Sequence, residues 1–347
     1  MAGIAGVFAT VLAGTNCAGA PCETTGTAVE RTAVNDWVIF NMADANADGM
    51  FDLFWFSRSA NQLEVWLMNG AHVLAPGHPI PGPPGTGWEP VVAVDFNGDG
   101  LADVVWTNAE RGTMTVYLMN GVDLLAPGPE IQGPPGAGWA VGAAGDTNGD
   151  GLADVAWYNR AERRFSVWLM NGVHVLAPGP VLLGPQHQPH LLVDLGDTNL
   201  DGMTDSIWDD RKTHTLEVWL LSGAHVLTYG PHLPAPPGEG WMAIAIADFN
   251  RDGLEDVVWM NADRRTMLVW LLNGARLLAG GPEIEGPGAG WTLDVANDTN
   301  GDGMADVVWR RDGTSVFSVW LMDGAHVLAR GPEIPGPSAD DAAAIRR

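Results

Sequence analysis

Short apolar runs, cut by clusters of Gly, Pro, Asn and Asp, recur along the chain from Trp37 to about Gly336. Period-two alternation and β-branched residues mark these runs as strands, and no segment sustains a helical period. The second unit displays the pattern. Trp88–Val94 predicts a first strand, Asp103–Thr107 a second, Thr113–Met119 a third and Val122–Ala126 a fourth. Asn120-Gly121 between the last two is a tight-hairpin signal. The same four-run unit occurs six times. Equivalent acidic turns open at Asp44, Asp95, Asp146, Asp197, Asp248 and Asp298, one residue short of strict periodicity in the last interval, where GPPGAGW becomes GPGAGW.

Four strands per unit and six units predict an all-β fold, a six-bladed β-propeller of four-stranded blades. The repeat region spans residues 37–337, flanked by an N-terminal segment, 1–36, and a C-terminal tail, 338–347. Tryptophan usage agrees with this division. Each unit has three aromatic slots: before the first strand, ending the second and inside the third. All 16 Trp fall in those slots, and Tyr117 and His190 occupy the remaining two. Large flat side chains at equivalent blade positions are expected to pack blade against blade. A ring of sugar-stacking aromatics is the rival reading.

Composition changes the picture in one respect. The chain has 42 acidic against 17 basic residues, a formal charge of −25. That balance disfavours nucleic acid and anionic membrane surfaces, which need Lys and Arg to neutralise phosphate. A chain this acidic repels itself unless cations bind, yet its 46% hydrophobic content argues against disorder.

The acidity concentrates in one motif, D-x-N-x-D-G-x-x-D, present in every unit. Its first position is Asp44, Asp95, Asp146, Asp197, Asp248 and Asp298, and its third is Asn46, Asn97, Asn148, Asn199, Asn250 and Asn300. The fifth is Asp48, Asp99, Asp150, Asp201, Asp252 and Asp302; the ninth is Asp52, Asp103, Asp154, Asp205, Asp256 and Asp306. Alternate residues put side-chain oxygens on one side of a turn, and the glycine at position six permits the reversal. Position seven, Met50, Leu101, Leu152, Met203, Leu254 and Met304, is expected to add a backbone carbonyl. Carboxylate-rich, all-oxygen coordination selects the hard cation Ca²⁺, about six per chain. The loop matches the first half of an EF-hand, but position twelve is Trp106 in the second unit and both flanks are strands. A metal-free acidic turn would explain one such loop; six at fixed offsets argue against it.

The runs DFNGDGLADVVW, DTNGDGLADVAW and DTNGDGMADVVW, followed by VWLMNG, resemble FG-GAP/VCBS-type repeats of bacterial surface and secreted proteins, which are similar to the calcium-bearing blades of integrin α-chain propellers. The resemblance covers roughly residues 37 to 336. It implies a propeller with Ca²⁺ between the first two strands of each blade, an extracellular or cell-surface location, and adhesion or binding of a glycan or protein ligand. Two features depart from the integrin pattern. The Gly-Ala-Pro ending is absent, and there are six units instead of seven, so residues 1–36 would have to supply any seventh blade or ring-closing strand.

The cysteines, Cys17 and Cys22, precede the repeats and can at most close a small loop. Gly3 to Ala13 reads either as the apolar part of a secretory leader or as a buried strand. No apolar run reaches membrane-spanning length. The fourth unit is irregular: His187, His190, His214, His225 and His232 lie there with Asp209 and Asp210. They would form an acid–base or transition-metal site, or reflect drift in one blade; His225 repeats the placement of His72, His174 and His326. No nucleophile elbow, phosphate loop or zinc spacing occurs. The expected function is a non-enzymatic, calcium-stabilised binding or adhesion module. A polysaccharide-acting enzyme and a self-assembling surface protein are the alternatives.

Overall fold

The computed structural model describes residues 36–185, 190–210, 215–274 and 276–338. The expectations for the N-terminal and C-terminal segments, residues 1–35 and 339–347, and for His187 and His214 lie outside the described residues. Among the described residues there are strands and turns and no helix, and none therefore that could cross a membrane.

Each repeat forms one antiparallel sheet whose four main strands pair in chain order. In the second blade these are Glu89–Val94, Asp103–Asn108, Thr113–Asn120 and Asp123–Pro127, within one residue or so of the sequence expectation. The connector contributes more than a turn: Ile131–Gln132 pairs back onto the third strand before the chain leaves for the next blade. The same short pairing recurs at Ile80–Pro81, Leu182–Leu183 and Ile284–Glu285.

The first strands lie innermost, each touching the first strands of both neighbouring blades. The sixth blade meets the first in the same way, so six units close the ring. Closure removes the exposed sheet edges that would otherwise template aggregation.

The tryptophans fill the wedges between blades. Those ending the second strands, Trp55, Trp106, Trp157, Trp208, Trp259 and Trp309, are fully buried. Each meets the aromatic residue of the third strand in its own blade, with ring centroids 5.3 to 5.8 Å apart, the pair Trp106–Tyr117 included. They also face the preceding blade, as in the 5.6 Å edge contact of Trp106 with Phe56. Offset and edge geometry of this kind adds to burial energy and fixes the angle between sheets. These six indoles are blade packing and are closed to sugar stacking.

Candidate functional site

All six acidic loops sit between the first and second strands of their blades, and because the first strands are innermost, the loops gather around one end of the central axis. The backbone of each loop is wound on its own side chains. The first aspartate accepts the N–H of the position-six glycine in every copy, at 2.7 to 3.0 Å. The asparagine amide oxygen accepts the N–H of position five, and the fifth-position carboxylate accepts the N–H of position seven, as from Leu101 to Asp99 at 2.9 Å. Position six takes φ between 82° and 87° in all copies, a region where only glycine is unstrained. Position four is left-handed as well. Gly98, Gly149 and Gly301 adopt it freely, while Ala47, Leu200 and Arg251 hold φ of 60° to 63°.

The ninth-position aspartate has a second task. In every copy it is fully buried, with one carboxylate oxygen accepting the N–H of position two and the other an N–H of the third strand. For Asp103 these donors are Phe96 at 3.1 Å and Met119 at 2.8 Å. The residue thus staples the start of its loop to the middle of its sheet. Burial pushes these carboxyls up, with the loop's own aspartates adding to the effect. Asp52, Asp103 and Asp256 rise to about 7, whereas Asp154, Asp205 and Asp306 rise to about 6. The difference follows position two. Thr147, Thr198 and Thr299 each donate a hydroxyl hydrogen bond of 2.5 Å to the carboxylate, which favours its charged form; Ala45, Phe96 and Phe249 have no hydroxyl to give.

The loops are also part of the seams between blades. The N–H of position eight donates to the first-aspartate carbonyl of the preceding blade: Ala102 to Asp44, Ala153 to Asp95, Thr204 to Asp146, Ala305 to Asp248 and, across the closure, Phe51 to Asp298 at 2.7 Å. Hairpin glycines reach the position-two carbonyls of the preceding loop in the same direction, as Gly172 to Phe96, Gly223 to Thr147 and Gly70 to Thr299. This accounts for the large apolar residues at position seven. A Cβ on Gly98 would lie 3.1 Å from the Leu152 side chain, so Leu152 covers the loop of the blade before it.

The donor set fits Ca²⁺ in kind: three carboxylates, an amide oxygen and a carbonyl per loop, with no sulfur or imidazole. Carboxylate and amide oxygens that accept one N–H keep a second lone pair. The side chains as placed are turned to the loop N–H groups, and among the described residues no three His, Cys, Asp or Glu converge at metal-ligating spacing.

The six loops surround an axial cavity of about 550 Å³, lined by all six first-position aspartates. Glu255 also lines it, from a position held elsewhere by Phe51, Ala102, Ala153, Thr204 and Ala305. Only 8% of Glu255 is exposed, and burial, reinforced by Asp248, Asp256 and Asp197, pushes its carboxyl up to about 8. The motif spacing did not reveal this residue; the signal available was a charge where the other repeats carry small or apolar side chains.

In the fourth blade His190 fills a tryptophan slot, 2% exposed, with Nε2 3.8 Å from the Asp210 carboxylate. Asp209 is buried next to Asp210 on the blade's second strand. His225 is exposed like His72, His174 and His326, and His232 lies on the surface 3.8 Å from Glu217. The described histidines of this blade are therefore spread between core and surface.

A ring of tandem blades carrying self-similar acidic loops on its axial end defines an FG-GAP-type repeat propeller. The chain belongs to this family: the FG-GAP-like repeat model matches residues 44–106, 95–157 and 197–259, more than half of the sequence. No curated protein sequence matches the chain. Among solved structures it is similar to virginiamycin B lyase from Staphylococcus aureus, at 10% identity and a TM-score of 0.51 over 87% of this chain and 86% of the other. It is also similar to part of the Tc holotoxin pore of Photorhabdus luminescens, at 15% identity and a TM-score of 0.51 over 85% of this chain and 14% of that one. At these identities the likeness is one of fold.

Proposed function

We propose that this propeller is a calcium-stiffened binding module that works outside the cell, holding a glycan or protein ligand on loops at one face. One observation carries the calcium reading: the all-oxygen loops are hydrogen-bonded into the next blade, so an ion in the loop of one blade also stiffens its neighbour. Asp44, Asn46, Asp48, the Met50 carbonyl and Asp52 would hold the ion in the first loop, with the equivalent residues in the other five. Bound Ca²⁺ supplies counter-charge to three carboxylates that otherwise repel, and six such ions would offset about half of the net charge of −25. An extracellular setting follows from this demand, since outside the cell free calcium is high enough to saturate weak sites.

Binding is favoured over catalysis by the uniformity of the loops. Five protein oxygens leave at most one or two positions in a six- or seven-coordinate sphere, too little for substrate and activated water together. The test has two parts. Calcium should raise the melting temperature of the dialysed protein, with about six ions bound per chain, and a glycan array read in calcium and in chelator should give calcium-dependent hits. Release of unsaturated or reducing ends from any polysaccharide on the array would instead assign an enzyme.

A further inference from the structure

The axial cavity breaks the six-fold symmetry at one residue. Glu255 is the sole charged residue at its repeat position, and the chain makes room for it: a Cβ on Gly196, in the preceding blade, would sit 2.6 Å from Glu255 Cγ. Its Oε2 is buried and has no hydrogen-bond partner. A buried, unpartnered carboxyl costs stability, and such groups persist where a ligand supplies the missing partner. The surroundings specify the sign of that ligand. Six aspartates rim the same cavity, and even with Ca²⁺ in every loop three carboxylates against two charges leave each loop net negative.

Size separates the classes of cation. A bare divalent ion takes its oxygens at direct-contact distance, in a space far smaller than the axial cavity. The cavity, about 550 Å³, falls in the range that accommodates a whole small molecule, and its wall includes Phe51, Ala102 and Ala153 beside the acids. We propose that the axial cavity is a binding site for a small organic cation, a primary alkylammonium whose charged end pairs with Glu255 and whose hydrocarbon lies against the apolar wall. The inference does not depend on the adhesion reading.

Titration calorimetry of the calcium-saturated protein with n-butylammonium, and with n-butanol as the uncharged counterpart, tests it. The amine should bind at one site per chain, at least ten-fold more tightly than the alcohol. Glu255→Gln should weaken the amine ten-fold or more, and Glu255→Asp should retain part of the affinity. Equal binding by wild type and Glu255→Gln, or equal binding of amine and alcohol, would overturn the proposal. So would one-for-one displacement of the amine by further calcium in the wild type, which would assign the carboxylate to a metal. Failure of the loop-calcium reading would appear separately, as a melting temperature indifferent to calcium in wild type and Glu255→Gln alike.

Discussion

Gly336, in the connector that leaves the sixth blade, lies directly against Trp55 in the first: a Cβ added to the glycine would stand 2.6 Å from the indole Cη2 and 2.4 Å from the Ser315 carbonyl oxygen. Equivalent contacts join Gly82 to Trp106, Gly133 to Trp157 and Gly286 to Trp309. In these four repeats the closing Gly-Pro is therefore a seat for the next blade's tryptophan, and Gly336 carries the series across the closure; the fourth repeat has Ala235 at this place.

Gly336→Ala is expected to destabilise the ring by about 1–3 kcal/mol, the usual cost of forcing a methyl into a filled site. Gly184→Ala is the control, because its nearest neighbours lie 3.4 Å or more away. Thermal melting should place the control near wild type and Gly336→Ala well below it. Equal melting temperatures would mean that the sixth blade does not press on the first.

The fifth and ninth aspartates should separate metal binding from scaffold. Asp99 is exposed and hydrogen-bonded only within its loop, to Leu101 and Asn97. Asp99→Ala should remove one bound calcium and lower stability in calcium, while changing the calcium-free protein by no more than about 0.5 kcal/mol, as exposed substitutions usually do. Asp103→Asn turns an amide N–H₂ toward one of two backbone donors, from Phe96 and Met119, and should cost about 1–3 kcal/mol with or without calcium. Calcium counting by atomic emission beside paired melts decides the matter. A calcium-free protein damaged equally by both substitutions would make Asp99 a scaffold residue.

Much of this was legible in the residues, because a repeat states its rule six times. Strand boundaries, blade number and the packing role of the tryptophans follow from periodicity that a single copy would not establish. Motif spacing was less informative about direction. Nothing in D-x-N-x-D-G-x-x-D shows that both oxygens of Asp103 are engaged by backbone N–H groups, one of them on a strand sixteen residues on. The left-handed backbone at Leu200 and Arg251 was hidden because neither is glycine. The seam bonds from Phe51 to Asp298 and from Gly70 to Thr299 join residues that only ring closure brings together. Glu255 was visible only as a departure from the repeat, a signal that needs the cavity to give it meaning. Leu74, Leu125, Leu176, Leu227, Leu278 and Leu328 recur in every repeat, yet each is about 60% exposed on the outermost strands, which the apolar pattern alone does not show.

The ninth-position carboxyls also predict how stability should follow pH, with a sign that depends on calcium. Their folded-state values, about 6 for Asp154, Asp205 and Asp306 and about 7 for Asp52, Asp103 and Asp256, lie above the ordinary value of 3.8. Between 3.8 and those values the folded protein binds more protons than the unfolded chain, so stability falls as pH rises and levels off above about 7. The calcium-free protein should therefore melt several degrees higher at pH 5.5 than at pH 8. With saturating calcium the slope should reverse, because protons then compete with the ion for the same carboxylates. Thr147→Val should steepen the calcium-free dependence, since losing the hydroxyl raises Asp154 toward the value of the loops without threonine. Melting curves across this range, with and without calcium, provide the check. Parallel slopes in the two conditions would show that the buried carboxylates and the ion do not share a site.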